Sequence, residues 1–422
     1  MSMEKAWVPL DTVARMYPSL VGSESPTCFR ISAVLNDAVS IDALRAAVAD
    51  LTLRFPCFRY RLGAGMFWHF LQRTDERPHV IEDRGVVCRD FFPTRDEKLL
   101  WRVLYGQNRI SLECSHILTD GYGALQYLRY LVERYLCCAG ILPQSILPEP
   151  DFSGAECMED AYTRYFIKDI PHARQPDRSY QPAAQPLPDR RLRLIGGEIN
   201  ADSLRKASAQ ADLSVTQYLV AVYLWSLYCL SIKELPRPVR SIRLIVPVDL
   251  RNLYPSKTMR NFFAPVLCEL LPFLGGYTFD EIAGDVKNQM AREIKPRFIN
   301  LQISRNVSIT NNMFVRLIPL ILKVPIQRFL YLNRGMKAAS GLLSNLGRVA
   351  LPEEIEHHIE RLEFVTSPSH ILKTTAGVIG AGHKVVVTFC NTTADTSVER
   401  EFFTFLSTRG VRTRIYTSES RE

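Results

Sequence analysis

The chain has 422 residues, 47% hydrophobic and 23% charged, with a formal net charge of +8. That length exceeds one ordinary core and implies two domains of roughly 200 residues each. The modest positive excess permits an anionic substrate, but no nucleic-acid-binding signature accompanies it, so it reads as solvated surface charge.

The first five residues, Met-Ser-Met-Glu-Lys, hold no apolar core of the signal-peptide type. Residues 41–51 form an amphipathic helical pattern with Ser40 placed as its N-cap. Residues 54–62 and 66–71 read as two strands joined by a turn containing Gly63 and Gly65. A second hairpin, residues 99–105 and 109–116, turns around Gly106-Gln107-Asn108.

The second strand of that hairpin carries the chemistry. Ile110, Leu112, Cys114 and His116 alternate onto one face, and Ser111, Glu113 and Ser115 onto the other. The apolar face therefore delivers the His116 imidazole to the interior at the strand's end. Asp120 and Gly121 follow, and a helix opens with Leu125, Leu128, Leu131, Val132 and Tyr135 at helical spacing. Taken alone, His116 reads as a satisfied core histidine and Asp120 as a helix cap.

Prolines at 171, 176, 182, 186 and 188 block helix and central strand, marking a linker or crossover. The expected division is 1–175, a linker at 176–190, and 191–422. The second half opens with a strand at 192–199 and a helix at 202–209. Residues 213–232 are apolar enough to raise a membrane span, but they also fit a buried core helix, which is the reading adopted. No transmembrane segment is expected. A buried strand at 242–249 then turns at Asp249-Leu250-Arg251-Asn252, followed by Asn261-Phe262-Phe263. Residues 281–294 pattern as a surface helix. Residues 314–331 mix aliphatics with Arg316, Lys323 and Arg328. Pro319 and Pro325 interrupt them, so a core-facing segment is expected rather than a membrane-lying one. Ser344-Asn345 precedes Gly347 in what would by itself be an ordinary turn. Gly377, Gly380 and Gly382 are followed by a strand rather than a helix, so they read as a hairpin turn, not a dinucleotide loop. A last helix spans 396–407.

Ten cysteines occur singly or as Cys137-Cys138, and they read as reduced thiols of a cytoplasmic protein. Cys-x-x-Cys and His-Glu-x-x-His are missing, and His357-His358 lacks a partner at ligand spacing, so no metal site is expected.

His116-x-x-x-Asp120-Gly121 resembles the His-His-x-x-x-Asp-Gly motif of chloramphenicol acetyltransferase, peptide-synthetase condensation domains and alcohol acetyltransferases. Here Ser115 stands in place of the first histidine, and His116 matches the second, which is the general base of those families. Three more segments resemble the same superfamily in the same order. They are the early helix with its Arg-Phe-Pro and hairpin, the strand ending in Pro247-Val248-Asp249-Leu250-Arg251 with Asn261-Phe262 beyond it, and Ser344-Asn345. The alcohol acetyltransferase branch fits best, because the chain stands alone at this length.

The resemblance implies an α+β fold of two acetyltransferase-like subdomains, each a mixed β-sheet flanked by helices, with a substrate channel between them. It implies an acyltransferase acting on an alcohol or amine, His116 as base, Arg251 paired with Asp120, Gly121 close beside the base, and Ser344 and Asn345 lining the channel. The co-substrate would be acyl-coenzyme A or an acyl-phosphopantetheine, with an acyl carrier protein as a further candidate partner and no tightly bound cofactor. A Ser115–His116 hydrolase is disfavoured, because adjacent strand residues point to opposite faces and no Gly-x-Ser-x-Gly elbow occurs. Two other readings stay open: a binding protein on this scaffold that lacks turnover, and a membrane-peripheral lipid-handling protein using the basic stretch at 316–334.

Overall fold

A computed structural model describes residues 6–22, 27–89, 91, 99–152, 154–171, 176–188, 192–234, 240–367 and 369–419. The leader expectation for residues 1–5 lies outside the described residues, as do 172–175, 189 and 190 of the proline-rich segment.

The first half runs β1 (Trp7–Pro9), β2 (Cys28–Leu35), α1 (Ile41–Arg54), β3 (Tyr60–Ala64), β4 (His69–Arg73) and β5 (Val80–Glu82). It continues through β6 (Trp101–Tyr105), β7 (Arg109–Ser115), α2 (Gly121–Cys138) and the short α3 (Ala161–Arg164). The second half opens with β8 (Arg193–Asn200), α4 (Ala201–Gln210), α5 (Val215–Glu234), β9 (Ile242–Asp249) and β10 (Phe263–Leu270). Four helices follow: α6 (Phe279–Glu293), α7 (Pro296–Asn311), α8 (Met313–Leu317) and α9 (Leu320–Leu330). The chain closes with β11 (Gly341–Arg348), α10 (Glu353–Glu356), β12 (Ile359–Val365), β13 (Thr374–Ala381), β14 (Lys384–Asn391), α11 (Ser397–Thr408) and β15 (Thr413–Glu419).

Two mixed sheets carry these elements. The first has the order β12-β2-β7-β6-β5, and the second β10-β9-β11-β13-β14-β8-β15. A small β1-β4-β3 sheet sits apart from both. One strand crosses the halves: β12, late in the chain, pairs antiparallel with β2 through Phe364↔Ile31 and its neighbours. The sheet that holds β7 is thus completed from the second half.

Ser40 caps α1, its hydroxyl accepting from the Ala43 amide at 3.4 Å. Leu44, Ala47, Val48 and Leu51 of that helix are buried, as are Leu128, Leu131 and Val132 of α2 and Ile110, Leu112 and Cys114 of β7. These residues make one core, in which emptying a fully buried site such as Leu112→Ala costs about 2–5 kcal/mol. The second core gathers around α5, whose Tyr218, Leu219, Val222, Tyr223 and Leu227 are nearly inaccessible. That is the packing of a core helix, although its length and composition alone would suit a membrane span.

Two expectations need correction. Residues 314–331 do not face the core: neither α8 nor α9 has a buried residue, and Phe314 and Ile321 are 84% and 82% exposed. The glycine run at 377–380 is not a turn but the interior of β13, and only Gly382 lies in the bend that leads to β14. A Cβ at residue 377 would stand 2.1 Å from the Phe364 carbonyl oxygen, so glycine there lets β12 approach the second sheet.

Candidate active site

Strand β7 stops because the chain turns tightly on itself after Ser115. The Ser115 carbonyl accepts from the amides of Leu118 and Thr119, and its hydroxyl accepts from the Ile117 amide at 3.2 Å. The Ser115 hydroxyl also lies 3.5 Å from that of Thr27 and makes no bond to His116. Helix α2 begins at Asp120, whose Oδ1 accepts from the Gly123 amide at 3.1 Å.

His116 leaves the strand end between aromatic rings. Tyr17 stacks on its imidazole with centroids 5.1 Å apart, and Phe29 lies tilted at 4.6 Å. Burial lowers the imidazole below its ordinary value; Asn261, the Asp120 charge and the Thr119 backbone pull the other way. A neutral ring is therefore the favoured form near neutral pH.

The tautomer follows from Asn261, which is itself buried. Its amide nitrogen donates to the His116 carbonyl oxygen at 2.8 Å and to Asp11 Oδ2 at 3.0 Å. Both partners only accept, so the amide oxygen must be the atom 3.3 Å from His116 Nδ1. An amide oxygen cannot donate. Nδ1 therefore carries the proton, and the basic lone pair is on Nε2. Asp11 is enclosed by the same group, and burial, opposed by Arg260, raises its carboxyl to about 6.

Asp120 turns from the imidazole to the second half. Its Oδ2 receives Arg251 Nη1 at 3.0 Å and the Phe262 amide at 2.9 Å. Asp120 thus serves as helix cap and as ion-pair partner at once. Arg251 also pairs with Asp249 at 2.7 Å, donates to the Thr258 and Arg260 carbonyl oxygens, and lies 4.3 Å over the Tyr122 ring. Burial works against its charge and the two carboxylates outweigh that, leaving the guanidinium held above its ordinary value.

Gly121 and Gly123 are contact points between the halves. A Cβ at residue 121 would come within 2.6 Å of Leu346, and one at 123 within 2.5 Å of the Met259 carbonyl oxygen. The Thr119 hydroxyl donates to that same carbonyl oxygen at 2.6 Å. Strand β11 thereby reaches the His116 motif through Leu346. Ser344 and Asn345, just before it, do not hydrogen-bond to His116; the Asn345 amide nitrogen donates to Thr216 at 2.9 Å. Nothing in the sequence around Asp11 or Tyr17 marks them as partners of His116, and Asn261 stands out there only as part of an Asn-Phe pair. The spacing of Asn261 after Arg251 was the one available signal.

Among the described residues no cluster of three or more His, Cys, Asp or Glu side chains is arranged to hold a metal ion. The assembled chemistry is that of an oriented neutral imidazole at the meeting of two sheets.

No protein-family model matches the sequence, and no curated protein matches it. Solved structures do match. The chain is similar to F. graminearum TRI101 complexed with coenzyme A and deoxynivalenol, with a TM-score of 0.66 at 11% identity, covering 96% of this chain and 99% of that one. It is similar to polyketide synthase associated protein 5 from Mycobacterium tuberculosis, at 0.58 and 14%, over 96% and 98%. The starter condensation domain of rhizomide synthetase RzmA gives 0.55 and 12%, over 96% and 97%. At such identities the likeness establishes the fold. It is the two-subdomain α+β fold that these structures share, over nearly the whole chain.

Proposed function

We propose that the chain is an acyltransferase that moves an acyl group from a thioester onto an alcohol or amine, with His116 as general base. The observation that carries this reading is the Asn261 clamp, which fixes the Nδ1–H tautomer and leaves Nε2 to receive a proton. Nε2 takes the acceptor's proton as its oxygen or nitrogen attacks the thioester carbonyl. The tetrahedral intermediate then collapses, the carbon–sulfur bond breaks, and the imidazolium returns the proton to the departing sulfur. No acyl-enzyme is needed.

Asp120 and Arg251 touch no reacting atom in this scheme. They hold the strand end and the α2 start against the second half, so their role is positional. Neighbouring structures solved with coenzyme A support acyl-coenzyme A as the donor, and the condensation-domain neighbours support a phosphopantetheine-borne alternative.

The test is thiol release from a panel of acyl-coenzyme A donors with alcohol and amine acceptors, wild type beside His116→Ala. Acceptor-dependent thiol release that falls about 10²–10⁴-fold in the variant is the expected result. Wild-type-like acylation by a folded His116→Ala protein would remove the assignment. Absence of thioester turnover across the panel would favour a binding protein on the same scaffold.

A further inference from the structure

Helix α9 has its polarity reversed relative to a surface helix of a water-soluble protein. Ile321, Leu322, Pro325, Ile326, Phe329 and Leu330 recur at i, i+1, i+4, i+5, i+8 and i+9, and all six are exposed. The polar residues face the body instead. Gln327 accepts from the Ser19 hydroxyl at 2.7 Å, and the Lys323 ammonium donates to the Phe67 carbonyl oxygen at 2.7 Å. Arg328 lies against Gly22. A helix normally pays for folding by turning its apolar stripe inward, and this one keeps it in solvent.

The apolar face does not end with α9. Phe314 and Leu317 of α8 are 84% and 61% exposed. The turn that carries Met66 and Trp68, exposed by 71% and 53%, is tied to the start of α9 by the Leu320 amide donating to the Met66 carbonyl oxygen. Scattered apolar residues on a surface mean nothing, but a contiguous face of this kind marks an interaction site.

Charge identifies the occupant. From residue 294 to residue 352 the sequence contains nine Lys or Arg and no Asp or Glu. That single stretch exceeds the formal +8 of the entire chain, so the remainder is close to neutral. Two of these cations, Lys323 and Arg316, lie near each other and near Arg15: burial lowers the Lys323 ammonium first, and Arg15 and Arg316 lower it further. Protruding aliphatic and aromatic side chains, with Arg316 exposed among them, Lys323 and Arg328 half-buried along the flank and a tryptophan at the edge, match the requirements of an anionic lipid interface.

We propose that α8 and α9, with the turn bearing Met66 and Trp68, form the face by which this protein docks on a bilayer containing anionic lipids. The apolar side chains enter the headgroup boundary, and Arg316, with the half-buried Lys323 at the flank, meets the lipid phosphates and carboxylates. The face is one layer from His116: α9 packs on residues 14–19, and Tyr17 of that segment stacks on the imidazole. Docking does not depend on the acyl-transfer reading.

The test uses the full chain with vesicles of phosphatidylcholine, with and without phosphatidylserine, read by sedimentation. Binding should be at least about tenfold tighter on the anionic vesicles and should weaken as salt is raised. Ile321→Ser combined with Phe329→Ser should lose at least about tenfold in vesicle binding, and Arg316→Glu about tenfold. All three side chains are exposed, so circular dichroism and thermal unfolding should match wild type. Failure to bind anionic vesicles, or equal binding to both kinds that the double substitution leaves untouched, would overturn the proposal. So would a lipid-free dimer that the double substitution dissociates and vesicles do not compete away, since the face would then belong to a second copy. None of these outcomes depends on thioester turnover.

Discussion

On one face of β7, Glu113 lies between two arginines of its own sheet; just past the end of β7, Asp120 lies against an arginine of the other half. Arg30 and Arg102 reach Glu113 at 2.7 Å each, all three side chains being almost inaccessible, and Arg30 also meets Asp83. Asp120 and Arg251 meet at 3.0 Å across 131 residues of sequence, with Asp249 as the third member. The chemistry of the two clusters is alike and their connectivity is not. The Glu113 cluster cross-links β2, β6 and β7 within one sheet. The Asp120 cluster joins the start of α2 to the end of β9, and so joins the two halves beside His116. The first should therefore govern stability alone, and the second stability and turnover together.

The largest effect belongs to neither cluster. His116→Ala should lower acceptor-dependent thiol release about 10²–10⁴-fold with the unfolding midpoint nearly unchanged. Its counterpart is Glu113→Gln, three residues away, which should leave kcat near wild type in the folded protein. A large kcat loss at Glu113 would break the comparison, because the two clusters would then not be functionally separable.

Stability separates them next. Breaking a buried pair leaves an uncompensated charge and costs about 3–5 kcal/mol, measurable by denaturant unfolding. Glu113→Gln and Arg251→Met should both fall in that range. Asp120→Asn should cost less, because the amide still caps α2 and Arg251 keeps Asp249. In a cycle, Asp120→Asn with Arg251→Met should cost less than the two single changes added. Strict additivity would reduce Asp120 to a helix cap. The single Arg251 variant should also lose turnover, because the halves no longer hold His116 between them.

Acid should reveal the Glu113 cluster. Burial raises the Glu113 carboxyl, and Arg30 and Arg102 override that, leaving it below its ordinary value. Its contribution is fully present above the unfolded value of 4.5 and is lost as pH falls through the lower folded value. Glu113→Gln should flatten that acid limb. In the proposed reaction the relevant group is His116, whose imidazole burial holds below its ordinary value. The acid limb of kcat/KM should accordingly lie below that of a free imidazole.

A smaller effect is expected at Asn261, where Asn261→Ala frees the ring to adopt either tautomer. The loss in kcat should be roughly two- to tenfold, the kinetic equivalent of one net hydrogen bond of about 0.5–1.5 kcal/mol, with KM little changed.

The fold was legible where one physical signal dominated. Helices α1, α2, α4 and α11 and the β6–β7 hairpin announce themselves by pattern, and α5 by the length of its apolar run. His116, Asp120 and Arg251 stood out through a resemblance to family motifs, and the structure brings Asp120 and Arg251 together as an ion pair. The Glu113 cluster was not, because alternation along β7 separates its two faces without saying that both are covered. Arg30 and Arg102 turn the second face into a buried polar layer, and no local pattern in β7 encodes them. The same gap separates α5 from α9. Each is apolar in composition, yet α5 is enclosed by a sheet and by α4, α6 and α11, while α9 turns its apolar side to solvent. Hydropathy fixes what a face wants to meet; it does not fix what is there. Asn261 was hidden for a related reason, since its role exists only when residues 145 positions apart come together.

The smallest effect is expected at Ser115, the position where the resembling families have their first histidine. Its hydroxyl is fully buried, accepts from the Ile117 amide and lies near Thr27, so its bonds serve the turn rather than the ring. Removing it deletes one neutral hydrogen bond, about 0.5–1.5 kcal/mol of stability, at a place where the turn keeps its backbone bonds from Leu118 and Thr119. Ser115→Ala should therefore leave thiol release within about tenfold of wild type, since the His116 proton path is untouched. Parallel assays of the Ser115 and His116 variants under one set of conditions settle the matter. A loss at Ser115 as deep as that at His116 would mean that the hydroxyl meets the reacting atoms, and a nucleophile on the strand end would replace the single-base scheme.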